Sequence, residues 1–220
     1  MSFSRAEWVQ RKAEIAERLW RGECGGSYSE AVLILCAAIS ALAADAWRGK
    51  GIDRARFVEL LVRLTPQAQI VSIPLLVGHL RERRRSIYAR RLKQVFLPLT
   101  GSEVVTGPQI DRDAKALKSL CPRLRNTEIR NFSYANLLYE RLRSPMVHEY
   151  RTGYKTSSFP MTDDATPPVS YFNWVHDLDR HIYFHVPWLA KLVRDAGRRA
   201  DIECDAYPLN RPAHWWIKVT

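Results

Sequence analysis

The stretch Ser27–Trp47, "SYSEAVLILCAAISALAADAW", decides how this chain is read. Ser27 and Glu30 stand three residues apart, the spacing at which a serine hydroxyl and a glutamate carboxylate cap the first turn of a helix reciprocally. Behind that cap the residues are apolar on almost every side, which marks a helix surrounded by others rather than one with a wet face. Its many alanines predict close approach by the neighbouring helices. The uninterrupted run "AVLILCAAISALAA" covers 14 residues, short of a membrane span. A central bundle helix is the expectation.

The flanks agree with a bundle. Upstream, Ser4 to Trp20 places Trp8, Ile15 and Leu19 among charges as an amphipathic helix, ended by Gly22, Gly25 and Gly26. Downstream, Asp53 can cap "RARFVELLVRL", with Phe57, Leu60, Leu61 and Leu64 on one face. Pro66 and Pro74 bracket an ambiguous segment. "LLVGHLRERRRSIYARRLKQVFL" then reads as one or two helices with a dense basic face, and "PLTGSEVVTGPQ" as a loop. A short helix, "DRDAKALKSL", closes at Cys121-Pro122, and "TEIRNFSYANLLYERLR" turns Ile129, Phe132, Leu137 and Leu138 inward. Gly, Ser, Thr and Pro dominate after that, so residues 154–175 are expected to form a β-hairpin or ordered loop insertion. "HIYFHVPWLAKLVRDAGRR" reads as a last helix with Pro187 near its start and Gly197 near its end, and residues 201–220 as an irregular tail. The fold expected is mainly α: one domain over 1–220, an up-and-down helical bundle with one small β insertion.

Lys and Arg number 34 against 23 Asp and Glu, a net charge of +11 that favours an acidic partner such as a phosphate backbone. Cys24, Cys36, Cys121 and Cys204 are scattered without CxxC spacing, as free thiols of a reducing compartment would be. "MSFSRAEWVQRKAE" is charged too early for a signal peptide, so a cytoplasmic location without membrane attachment is expected. No Gly-rich phosphate loop, GxSxG elbow or CxxC pair is present, so the common NTPase, hydrolase and redox readings lose support.

The densest chemistry lies in "RSPMVHEY", Arg143 to Tyr150. Ser144-Pro145 resembles an N-cap followed by a proline in the first turn, which predicts a break between two helices. The free N–H groups of such a helix start favour an anion. Beside it, His148 can move a proton near neutral pH while Arg143 stabilises charge on phosphate oxygens. That combination suits phosphoryl chemistry without a metal or other cofactor. Ser144 and Glu149 would help to orient the pair. The plainer alternative pairs Arg143 with Glu140 or Glu149 on the surface and makes His148 a helix cap.

"YERLRSPMVHEY" resembles the signature of the HEPN family, an Arg followed after four to six residues by a His at the end of an amphipathic helix. "AVLILCAAISALAADAW" and "IDRARFVELL" are similar to the family's early helices in order and character, so the resemblance spans about Ser27 to Gly153. It implies a bundle that homodimerises, bringing two motifs into one cleft. It also implies metal-independent endoribonuclease activity, as in toxins and defence effectors, in which a ribose 2′-OH attacks the adjacent phosphate and leaves a 2′,3′-cyclic end. On that model His148 handles the proton and Arg143 steadies the phosphorane. The family commonly has Asn, Asp or His after the Arg, where this chain has Ser144. Serine orients an imidazole less well, which keeps open a non-catalytic protein that binds RNA, a nucleotide or a partner. In one branch the pattern runs on to a Tyr that a partner antitoxin nucleotidylates, and Tyr150 occupies that place.

Two other clusters compete for function. His176, His181 and His185 would give a metal pair at helical i, i+4 spacing, but no Glu follows His181 as in a metalloprotease, and no metal site is expected. Arg83, Arg84, Arg85, Arg90 and Arg91 with Tyr88 between them form either a rail for RNA, with the ring free to stack on a base, or a solvated helix face.

Overall fold

The computed structural model describes residues 4–96, 104–160, 166–174 and 177–206. The described chain is mainly helical. Helix α2 (Tyr28–Ala46) lies at its centre, packed by α1 (Arg5–Trp20), α3 (Asp53–Leu64) and the last helix, α11 (Val186–Ala206). The capping box forms as its sequence requires: Ser27 N–H donates to Glu30 Oε2 at 2.8 Å and Ser29 N–H to Ser27 Oγ at 3.2 Å. Ala31, Val32, Leu35, Cys36, Ala38, Ile39, Leu42 and Ala43 are all buried. By length and composition alone α2 is apolar enough to cross a membrane; here 44% of that stretch is buried against neighbouring elements.

Small side chains set the closest approaches. In α1 the buried face is Val9, Ala13 and Ala16, whereas Ile15 is 42% exposed and Trp8 only partly covered. The larger residues were the wrong guide to this face, because α11 approaches too closely to admit them. A Cβ added to Gly197 would fall 2.1 Å from Val9 Cγ2. Charged groups frame the contact: Arg194 holds Glu17 with two hydrogen bonds of 2.6 and 2.8 Å, and Asp201 accepts from the N–H groups of Arg5 and Ala6 at the start of α1. Helix α11 therefore runs through residues 201–206, expected to be irregular; 207–220, with the Trp pair "WW", lie outside the described residues.

The middle of the chain forms α4 (Ile73–Glu82), α5 (Ser86–Phe96), α6 (Gly107–Ile110), α7 (Ala114–Leu120) and α8 (Asn126–Asn131). Ile129, Phe132, Leu137 and Leu138 are buried as their spacing predicts. A three-stranded antiparallel sheet covers one side in the order β1 (Val104–Thr106), β2 (Val169–Trp174), β3 (Asp177–Phe184). It is wider than the insertion expected over 154–175. β1 comes from the stretch read as loop, and β3 from residues read as the start of the last helix. Ile182, Tyr183 and Phe184 are buried on both faces of the strand, a two-sided apolar run whose periodicity does not separate strand from helix.

A buried carboxylate knots sheet to helices. Asp111, just beyond α6, accepts from the phenols of Tyr134 and of Tyr171 in β2 at 2.5 and 2.6 Å, and from Ile73 N–H at the start of α4 at 2.9 Å. The one hydrogen of Tyr171 serves the carboxylate, and Ser72 Oγ lies 2.9 Å from the same phenol oxygen. Burial pushes Asp111 up to about 7, against the opposing pull of these donors. Its native value lies above its unfolded one, so the folded state holds the extra proton between about pH 4 and 7 and stability falls as pH rises through that window. Asp111→Asn is expected to remove that slope. Wild-type stability minus that of the variant, from urea melts, should shrink from pH 4 to 7, and a constant difference would contradict it. At the helix contact, Gly197→Ala should cost roughly 1–3 kcal/mol by overpacking, while Ile15→Ser should stay within about 0.5 kcal/mol; urea melts at one pH measure both.

Candidate functional site

The helix that carries the motif has no break. From α9 (Tyr134–Leu137) it passes through a π-helical segment, Leu138–Arg143, into α10 (Ser144–Glu149), and Leu137, Leu138, Arg143 and Ser144 all keep right-handed helical backbones. Ser144 is thus not an N-cap, and the anion-binding helix start expected beside it does not form. Pro145 explains the alternative. Its ring would strike the carbonyl of Arg141 in a regular helix and it has no N–H to offer that carbonyl. The wider π turn relieves the crowding, and Arg141 C=O accepts from Gly153 N–H at 2.7 Å instead. A Cβ at Gly153 would lie 3.0 Å from Arg141 Cα and 3.2 Å from Pro145 Cγ, so a larger residue there would crowd the returning chain against the helix.

The motif side chains diverge. Arg143 is half-buried against α2, its Nε 3.4 Å from Ser40 Oγ and its guanidinium 5.3 Å above the Tyr139 ring. His148 is exposed, and five residues on it stands about 140° around the helix from Arg143. Within one chain the two do not meet. The plainer expectation also needs correction: Glu140 pairs with Arg54 at 3.0 Å and Glu149 with Arg151, neither with Arg143. Tyr150 ends the helix in a left-handed conformation (φ 51°), and its phenol donates to Glu30. The hydrogen bonds of Ser27 and Tyr150 hold Glu30 down at about 2. The cap of α2 and the end of the motif helix thereby share one carboxylate.

The basic run is also divided. α4 and α5 are separate helices joined through Arg84, at φ 55°. Arg83, Arg84, Arg90 and Arg91 are exposed, but Arg85 binds Glu128 and lies 4.5 Å over the Tyr88 ring, covering the face expected to stack on a base. His181 and His185 do not share a helix face. His181 lies in β3, and His185, buried beyond its end, has Nε2 2.7 Å from Ser170 Oγ. His176 lies outside the described residues, among which no cluster of three metal-ligating side chains occurs.

The structure instead draws attention to a cleft of about 710 Å³ beside the motif helix. The π segment and α10 supply Glu140, Arg141, Pro145 and Glu149; α3 supplies Arg54, and β3 His181. Asn131, Phe132, Asn136 and Leu137 come from α8, α9 and their junction, and Arg151 to Thr156 from the loop that Gly153 brings back. Arg54 also donates to Asn136 Oδ1 at 3.0 Å. The Arg141 guanidinium donates to Tyr154 C=O and lies 5.5 Å from that residue's ring; burial pulls its pKa below the usual guanidinium value. Lys155 Nζ lies 3.4 Å from Glu82 and 5.0 Å from the same ring. Four cations, Arg54, Arg141, Arg151 and Lys155, thus face two carboxylates. Such a site attracts an anion, and Tyr154, 67% exposed, offers a planar surface next to it. None of these four cations was singled out from sequence. The one signal available was Pro145 four residues after Arg141, which marks a helix defect. No protein family, curated protein or solved structure gives a significant match to this chain.

Proposed function

We propose that this protein binds single-stranded RNA, holding backbone phosphates in the cleft beside the motif helix. The observation that carries the reading is the convergence of Arg54, Arg141, Arg151 and Lys155 on one open cavity. Glu82, at the far side of Lys155, is followed directly by the exposed Arg83 and Arg84, so a cationic path leaves the cleft toward α5. The net charge of +11 supports the same partner. Fluorescence anisotropy with a labelled oligoribonucleotide at several salt concentrations tests it. Affinity should fall steeply with salt, and Arg151→Gln should flatten the log–log slope by about 0.7, the contribution of one single-strand phosphate. Arg18→Gln, on α1, should leave the slope unchanged. Binding that ignores salt, or an Arg151 variant identical to wild type, sinks the reading.

A second reading, a HEPN-like bundle with metal-independent ribonuclease activity, is favoured by one observation. His148 and Val147 (47% exposed) stand together on the open side of α10, where a second copy could cover them and complete a site that a single chain leaves divided. In that homodimer His148 would take the 2′-OH proton as that oxygen bonds to phosphorus and the P–O5′ bond breaks, the 5′-oxygen leaving as an alcohol with a proton from water or the protonated imidazole. Nucleotidylation of Tyr150 by an antitoxin would remove the phenol hydrogen that Glu30 accepts, loosening the end of the motif helix. Incubation of RNA with excess chelator should give 2′,3′-cyclic ends with wild type and none with His148→Ala; equal cleavage by both, or by neither, removes this reading.

A further inference from the structure

Lys155 combines two unfavourable conditions. Its side chain is 7% exposed although it carries an ammonium, and its backbone adopts a left-handed conformation (φ 54°) that costs any residue with a Cβ. The fold enforces both: Lys155 C=O accepts from Ile182 N–H at 3.0 Å, and Ser157 N–H donates to Ile182 C=O at 2.9 Å, so the loop is stitched to β3 on either side of Thr156. Strained residues of this kind concentrate where a side chain must be presented to a ligand. Lys155 lines the 710 Å³ cleft and also the small cavity of about 60 Å³ adjoining it, and Arg141, Phe132 and Tyr154 line both as well.

Arg141 is the second half of the pattern. Its guanidinium is partly desolvated and has no carboxylate within ion-pair distance among the described residues; its contacts are the carbonyl and ring of Tyr154. Glu140, next along the helix, is taken by Arg54. Glu82, whose own side chain is 60% exposed, lies 3.4 Å from the Lys155 ammonium. Two cations thus meet at the junction of two cavities, with one exposed ring adjoining both.

We propose that Arg141 and Lys155 form a phosphate subsite that takes one backbone phosphate of an RNA strand, with the neighbouring base stacked on Tyr154. This rests on the RNA-binding reading and narrows it to named atoms. Arg141 supplies directed N–H donors to the phosphate oxygens and Lys155 a point charge. The ring supplies a surface any unpaired base can use, so the subsite selects single strands without selecting sequence.

Lys155→Gly separates the two costs, because glycine adopts the left-handed backbone freely. The variant should melt no lower than wild type yet bind a labelled oligouridylate about tenfold or more weakly in anisotropy, as expected for a lost desolvated contact. Arg141→Met should lose a comparable factor, and Tyr154→Ala roughly fivefold or more, with Tyr154→Phe restoring wild-type affinity. A companion titration follows backbone amide shifts of residues 153–156 as inorganic phosphate is added. If wild type binds the oligonucleotide and Lys155→Gly binds it within about twofold as well, the subsite is wrong and RNA binding rests on other cations. If the oligonucleotide does not bind but phosphate shifts those amides, the anion site stands and the RNA reading fails. If neither occurs, both fail. A lower melting temperature for Lys155→Gly assigns the ammonium to the Glu82 pair and overturns the proposal.

Discussion

The proline inside the motif helix cannot donate to the carbonyl four residues back, and that carbonyl, on Arg141, is served by Gly153 from beyond the helix end. Much of the site follows from this single mismatch. The π turn absorbs the extra width. The left-handed Tyr150 reverses the chain, and the bare Cα of Gly153 lets it return across the helix at van der Waals distance. The returning loop then becomes one wall of the cleft, and its next residues, Tyr154 and Lys155, fall beside Arg141. A buried carbonyl without a partner would cost more than the local irregularity that supplies one.

The parts of the fold that could be read in advance are those set by local chemistry. The Ser27–Glu30 cap, the breaks at Gly22 and Gly25, the inward residues of α3 and the burial of Ile129, Phe132, Leu137 and Leu138 depend on near neighbours along the chain. What escaped depends on distant partners. The buried face of α1 is chosen by how close α11 comes, so Val9 and Ala13 are buried while Ile15 is exposed. His181 to Phe184 become a strand because β2 pairs with them, although their composition allowed a helix. In the motif, Ser144-Pro145 has the composition of a helix start, and only the accommodation of the proline by a π turn keeps the helix whole. The cleft was hidden for the same reason: Arg54 reaches the motif helix by packing of α3, where it pairs with Glu140, and Lys155 joins Arg141 only through the returning loop.

Electrostatics separates the cations into two populations. Arg194 with Glu17, Arg85 with Glu128 and Arg5 with Asp45 have carboxylates at hydrogen-bond distance and serve packing. Arg141 and Lys155 are held in partial or full burial where water screens them less, so each carries more field per charge than an arginine on the open face of α5. A formal excess of +11 says little by itself; the position of its least hydrated members says more.

The packing of α1 on α11 also bears on how the chain is made. Val9, Ala13 and Ala16 leave the ribosome more than 180 residues before Gly197, which lies in the helix packed over them. During that interval α1 can pack on α2, but the surfaces of both helices that α11 covers stay open. Contacts so far apart in sequence close late and slowly. The α11-facing sides of α1 and α2 are therefore apolar surfaces that stay exposed until the last helix is made.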